Sequence, residues 1–84
     1  MGKHETLREK ILRNKVPSDI RPKELQSFLL AEGFHLLRTR GDHFIYEKPG
    51  GVELVIPMQN PVKQVYVKQI RDAIRDYEDE KGNN

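Results

Sequence analysis

The sequence contains no cysteine among its 84 residues, which excludes a disulfide framework and a thiolate zinc site. Its three histidines, His4, His35 and His43, are scattered rather than spaced like metal ligands, so no metal is predicted. No apolar run approaches the roughly 20 residues of a membrane-spanning helix, and no signal peptide opens the chain. We therefore expect one domain without metal, cofactor or membrane contact, located in the cytoplasm.

Charge is distributed unevenly along the chain. Residues 1–75 carry 14 Lys and Arg against 9 Asp and Glu, a net charge of +5, whereas residues 76–84 carry a net charge of −3. A basic body suits a polyanionic partner such as a nucleic acid, although many proteins that bind no anion carry a similar charge. The last residues, 78–84, are expected to form an acidic and flexible tail.

The first predicted helix lies near the amino end of the chain. Thr6 and Glu9 have the spacing of a capping box, in which both side chains bind the first free amides of a helix. This pattern predicts a short helix over Leu7–Asn14. Pro17 ends it, because the residue before a proline disfavours the helical conformation.

Two further helices carry clearer signals. Pro22 suits the first helical position, because it needs no amide donor there, and Gly33 suits the left-handed conformation that closes a helix. The last helix is predicted over Gln64–Tyr77. Its buried positions follow helical spacing: Val67, Ile70, Ala73, Ile74 and Tyr77.

Three short strands are predicted between these helices, over Phe34–Thr39, His43–Lys48 and Val52–Pro57. The segments 40–42 and 49–51 each contain glycine and read as hairpin turns, so the strands form an antiparallel meander. Three-residue loops at both turns predict these cross-strand pairs: Thr39–His43, Arg38–Phe44, Phe44–Ile56, Leu36–Tyr46 and Tyr46–Leu54.

This register divides the side chains between the two faces of the sheet. The face toward the helices should carry Phe34, Leu36, Phe44, Tyr46, Val52, Leu54 and Ile56. The opposite, half-polar face should carry His35, Leu37, Thr39, His43, Ile45, Glu47, Glu53 and Val55.

Four segments in this order, "AEGF", "RGDHFIY", "VELVIP" and "YVKQIRDAI", resemble the HicA toxin family, also called YcfA-like. The resemblance covers Arg21–Tyr77, with residues 1–20 as an extension and 78–84 as the tail. It implies an α+β fold like the double-stranded-RNA-binding domain, a three-stranded antiparallel sheet with helices on one face, plus an extra N-terminal helix. It also implies a toxin that cleaves messenger RNA (mRNA) without a metal and is neutralised by a HicB-type antitoxin protein.

The resemblance points to one catalytic residue. The active histidine of the family follows a Gly-Ser pair, and His43 occupies that place after Gly41 and Asp42. Imidazole suits general acid–base catalysis because it gains and loses a proton near neutral pH. Asp42 keeps the turn but replaces the usual serine, and it brings a negative charge close to where a phosphate must bind.

Basic residues around His43 are candidates for RNA contact, because positive charge stabilises a phosphorane. Arg38 and Arg40 flank the turn, and Lys48 closes the second strand. Three more lie near the start of the last helix, where a solvated helix face is the alternative: Lys63, Lys68 and Arg71.

The other histidines are not expected to take part in catalysis. His35 is four residues further along the hairpin from His43, roughly 13 Å away at ~3.3 Å per residue, which is too far to share one phosphodiester. It is expected to pair with Glu47, and His4 is given no role.

Two other functions stay open at this point. The same fold can bind RNA without cleaving it, through contacts to the backbone and the 2′-hydroxyl groups. Alternatively, the domain binds only its antitoxin. His43 favours the nuclease, because a binding module has no need of an imidazole at that position.

Overall fold

Three helices and one antiparallel sheet make up the protein, as the computed structural model describes it for residues 3–50 and 53–82. The three strands lie side by side in their order along the chain, and the predicted α+β meander is confirmed. The elements follow the chain as α1 (Lys3–Ile11), α2 (Pro22–Ala31), β1 (His35–Arg40), β2 (His43–Glu47), β3 (Glu53–Pro57) and α3 (Gln64–Gly82).

The first helix begins earlier than the sequence predicts. Thr6 lies inside α1, so the predicted capping box of Thr6 and Glu9 is wrong. Glu5 in the first turn favours the earlier start, because a negative charge is stabilised at the positive end of the helix dipole. The helix also ends at Ile11 rather than at Asn14.

Arginines of α3 explain how the chain leaves α1. The last carbonyls of a helix have no partner within it and need donors from elsewhere. Arg71 donates from Nη1 to the carbonyl oxygens of Arg13, at 3.2 Å, and Asn14, at 2.8 Å. Arg75, one helical turn later, donates to the carbonyl oxygen of Leu12. The two side chains thus fix the end of α1 against the last helix.

The N-terminal extension also supplies part of the hydrophobic core. Ile11, Val16 and Ile20 are each at most 3 % exposed and belong to the same buried cluster as the helices and the sheet. The Val62 amide donates to the Ile20 carbonyl, and the Gln64 side-chain amide donates to the Val16 carbonyl. The extension is therefore packed into the domain.

The limits of α2 agree with the prediction. The helix begins at Pro22, and the amide of Arg21 donates to the Glu24 carboxylate at 3.3 Å. Gly33 has a φ of +97°, the left-handed conformation expected after the helix end. The chain then enters β1 with the Phe34 amide bonded to the Leu29 carbonyl.

The first hairpin has a different register from the predicted one. Arg40 pairs with His43, so the turn contains two residues rather than three, and the predicted Thr39–His43 and Arg38–Phe44 pairs are wrong. Leu37 is an extra residue without a partner in β2, which makes a β-bulge. The bulge restores the predicted Leu36–Tyr46 pair. The Phe44–Ile56 and Tyr46–Leu54 pairs of the second hairpin are confirmed.

The helices cover one face of the sheet. In the central strand, β2, the side chains on that face are the predicted ones. Phe44 and Tyr46 pack with the core cluster, whereas Ile45 does not belong to it, although its side chain on the other face is only 4 % exposed. Leu36 shares the face of Tyr46 but is 44 % exposed, because β1 is an edge strand with exposed side chains throughout. Val52, predicted on the same face, lies outside the described residues.

The last helix is longer than predicted. Four residues of its predicted stripe are buried, Val67, Ile70, Ala73 and Ile74, whereas Tyr77 is only half-buried. The helix continues past Tyr77 to Gly82, through residues expected to form a flexible tail. Glu78 binds Arg8 of α1, and Arg8 also contacts Glu32 at the end of α2 at 3.1 Å. The part of α3 that exceeds the prediction therefore contacts the N-terminal extension through Glu78.

The packing predicts that the extension stabilises the domain. Ile11→Ala removes a fully buried side chain and should lower the free energy of unfolding by about 2–5 kcal/mol. Leu30→Ala is a matched control on α2, because Leu30 is 59 % exposed, and should change it by about 0.5 kcal/mol or less. Urea denaturation followed by circular dichroism measures both. Equal effects of the two substitutions would contradict the packing of α1.

Candidate active site

A two-residue turn precedes the candidate catalytic histidine. Gly41 has a φ of +61°, and Asp42 follows it with a negative φ, as a type II′ hairpin turn requires. A Cβ atom at Gly41 would meet nothing within 4 Å, so the conformation and not the space calls for glycine. The Met58 amide donates to the Asp42 carbonyl at 2.8 Å. The turn is therefore attached to the chain that leaves β3.

His43 is the first residue of β2 and faces away from the helices, on the open face of the sheet. Its side chain is 52 % exposed, so a polymer in solution can reach the imidazole. The ring Nδ1 lies 3.0 Å from Oδ1 of Asp42, whose side chain is 56 % exposed. The imidazole thus has one carboxylate neighbour and one open side.

The observed register brings both candidate arginines to the face of His43. Arg40 is directly opposite His43, and Arg38 is opposite Ile45, the next residue of β2 on that face. Directly paired residues of an antiparallel sheet project from the same side, with Cβ atoms about 5 Å apart. The predicted register placed Arg38 toward the helices and Thr39 on the open face, and both placements are wrong. The shorter turn exchanges them, and the bulge at Leu37 confines the change to this end of the hairpin.

Lys48 does not lie beside His43. It follows the far end of β2, and its ammonium group lies 3.9 Å from the ring centre of Tyr77 and 5.5 Å from that of Phe34. A cation over aromatic rings is attracted by their negative faces. Lys48 thus links the second hairpin to α3. Its contact with RNA stays a prediction, and this position does not favour it.

The three candidates of the last helix are also separate from His43, since α3 packs on the opposite face of the sheet. Lys63 is exposed just before α3, and Lys68 is exposed on the helix. Arg71 is bound to the end of α1 and to Asp72 at 3.2 Å. Of the predicted RNA-binding residues, the structure brings only Arg38 and Arg40 to the histidine.

Acidic residues occupy the other end of the open face. His35 pairs with Glu47 as predicted, and Glu47 pairs with Glu53, so these three form a row across the sheet. This row is four residues from His43, roughly 13 Å at ~3.3 Å per residue. The charge of the face therefore changes from positive near His43 to negative at the far end.

Sequence reasoning missed two residues of the site, Pro57 and Met58. Pro57 is opposite His43 on β3, and the Met58 amide holds the turn through Asp42. The signal was present, because the predicted Phe44–Ile56 pair places the residue before Phe44 opposite the residue after Ile56.

The described residues contain neither a metal-binding cluster nor a membrane-spanning helix. Within 3–50 and 53–82, no group of three or more His, Asp or Glu residues is arranged to hold a metal ion. In the same part of the chain, none of the helices combines the length and the apolar character needed to cross a bilayer.

The protein is thus an α+β domain, and its candidate site is the exposed histidine of the first hairpin, on the sheet face that the helices do not cover. The model of the family described as HicA toxin of bacterial toxin-antitoxin matches residues 22–77, two thirds of the chain. The chain therefore belongs to the HicA toxin family, whose fold is like the double-stranded-RNA-binding domain, and is the toxin of a toxin–antitoxin system with an antitoxin as its partner. Searches of curated proteins and of solved structures found no match.

The placement of the basic residues predicts a difference between Arg40 and Lys48 in RNA binding. Arg40→Ala should reduce the slope of log affinity against log salt concentration by about one, as expected when one phosphate contact is lost. Lys48→Met keeps the aliphatic stem and should leave that slope unchanged. It should instead lower the free energy of unfolding by about 0.5–2 kcal/mol, through the lost attraction to the rings.

Filter binding of an RNA oligonucleotide at several salt concentrations measures the first quantity, and urea denaturation measures the second. If Lys48→Met lowered the slope of log affinity against log salt concentration as much as Arg40→Ala does, Lys48 would be a contact residue for RNA. An unchanged slope for Arg40→Ala would show that Arg40 is not a contact residue.

Proposed function

We propose that this toxin is an endoribonuclease that cleaves mRNA without a metal, with His43 as its general acid–base. One observation supports the proposal most strongly: an exposed imidazole follows a tight turn, with Arg40 directly opposite on the same face. This is the place where the resemblance to the family leads us to expect the active histidine. A binding module would need the positive charge but not the imidazole.

RNA carries its own nucleophile, which is why so few protein groups suffice. The 2′-hydroxyl attacks the adjacent phosphorus, the bond from phosphorus to the 5′-oxygen breaks, and a 2′,3′-cyclic phosphate and a 5′-hydroxyl result. His43 takes the proton of the 2′-hydroxyl as the first bond forms. It returns a proton to the 5′-oxygen as the second bond breaks. The neutral imidazole is thereby regenerated.

Arg40 is the best-placed group for the negative charge of the phosphorane. It is the cross-strand neighbour of His43, with Cβ atoms about 5 Å apart, and its long side chain reaches across the same face. Guanidinium binds two phosphate oxygens at once and keeps its charge at any working pH. Arg38 is one cross-strand row further and can bind a neighbouring phosphate.

The antitoxin is proposed to be a HicB-type protein that covers this face. The simplest way to neutralise a nuclease is to block access to its imidazole, and His43 is more than half exposed in the free toxin. A footprint of the complex should therefore protect Arg38, Arg40 and His43. Full exposure of these three residues in the complex would require another mode of neutralisation.

The catalytic role of His43 predicts a specific loss of cleavage. His43→Ala and His43→Gln should both lower the cleavage rate by ~10²–10⁴, the usual contribution of a general acid–base group. Glutamine keeps the bulk and the hydrogen bonding, so an equal loss in both variants assigns the effect to proton transfer. Rates are measured on RNA in excess chelator, with circular dichroism as the control for folding.

His35→Gln is the matched control, because His35 lies on the same face at the other end of the hairpin and should retain full activity. Undiminished cleavage by folded His43→Ala would exclude the mechanism and favour an RNA-binding module. Cleavage that requires an added metal would exclude the metal-independent reaction.

A further inference from the structure

The contact between Asp42 and His43 has a consequence for the protons on the imidazole. A neutral imidazole donates from one ring nitrogen and accepts at the other, and an ionised carboxylate only accepts. Nδ1 lies 3.0 Å from Oδ1 of Asp42, and this contact is a hydrogen bond to an ionised carboxylate when Nδ1 carries the hydrogen. The lone pair of the neutral ring is then on Nε2.

The backbone holds Asp42 in the position that this contact needs. Gly41 sets the turn through its positive φ, and the amide of Met58 binds the Asp42 carbonyl oxygen at 2.8 Å. The backbone of Asp42 is thus held by the turn between β1 and β2 and by this bond to the residue that follows β3. The side chain itself is 56 % exposed, so the contact with Nδ1, rather than packing, selects its rotamer.

We propose that Asp42 is a positioning residue, which holds His43 in the tautomer with hydrogen on Nδ1 and leaves Nε2 to exchange the proton with RNA. The role rests on the proposed nuclease function. Nε2 accepts the proton of the 2′-hydroxyl and returns it to the departing 5′-oxygen, while the other hydrogen stays on Nδ1, bonded to the Asp42 carboxylate, throughout. Asp42 itself touches no reacting atom.

The charge of Asp42 gives this role a kinetic signature. A carboxylate beside the bound phosphate repels it, so Asp42 weakens RNA binding while it supports turnover. Removing the carboxylate should therefore lower kcat without raising KM. General damage to the site has a different signature, because it would weaken RNA binding and turnover together.

The first test measures the tautomer directly and needs no activity. In protein labelled with ¹⁵N in histidine, long-range ¹H–¹⁵N correlation spectra at a pH where the imidazoles are neutral distinguish the protonated from the unprotonated ring nitrogen. His43 should show hydrogen on Nδ1, and Asp42→Ala should reduce the population of that tautomer. His35 serves as an internal reference, since its ring signals should not change.

The second test measures steady-state cleavage of RNA by the same variant. Asp42→Ala should lower kcat about 10-fold or more, yet less than the ~10²–10⁴ expected for removal of the imidazole. KM should fall or stay unchanged. Glu53→Ala is the matched control, because it removes a negative charge from the far end of the same face and should leave kcat unchanged.

The outcomes separate this inference from the proposed function. An unchanged tautomer in Asp42→Ala, or an unchanged kcat, overturns the role of Asp42 even if His43→Ala is inactive. A kcat loss with a raised KM also overturns it, in favour of a structural role. If the tautomer responds but His43→Ala still cleaves RNA, the proposed function fails, and the catalytic role of Asp42 fails with it.

Discussion

The left-handed conformation of Gly41 is the constraint on which the site depends. It allows β1 to turn into β2 in two residues, and this puts Arg40, rather than Thr39, opposite His43. Any side chain at Gly41 would be strained in this conformation. A wider turn would rotate the faces of β1 by one residue and move the arginines away from the histidine.

The bulge at Leu37 resolves a conflict that this turn creates. A regular β1 in the observed register would place Leu37 opposite Tyr46 and shift every later pair by one residue. The extra residue restores the Leu36–Tyr46 pair, so the far end of the hairpin keeps its packing while the near end presents arginines on the open face. One irregularity therefore lets the two ends of the first hairpin keep different registers.

The strand order and the second hairpin could be predicted because their alternation is regular. Leu54 and Ile56 are two residues apart, and they pair with Tyr46 and Phe44 on the buried side. The first hairpin was harder, because a Gly-Asp pair suits loops of two or three residues. The bulge could not be predicted either, because Leu36 and Leu37 are adjacent and either of them can occupy the apolar position opposite Tyr46.

Basic residues were predicted less well than apolar ones, because a sequence does not show which long-range partner takes a charge. Arg71 binds carbonyls 57 and 58 residues earlier in the chain, and Lys48 lies over the ring of Tyr77. Neither partner follows from local spacing. The position of His43 was predicted from its surrounding motif, and its chemistry stays a prediction.

The attachment of α1 to α3 also determines when the toxin can complete its fold during synthesis. Leu12 and Arg75 are 63 residues apart, so at translation rates of roughly 5–20 residues per second the end of α1 waits about 3–13 s for its partner. Until then Ile11 and Val16 lack the α3 side of their core. The nascent chain therefore exposes apolar side chains of its first helix until the last helix has been made.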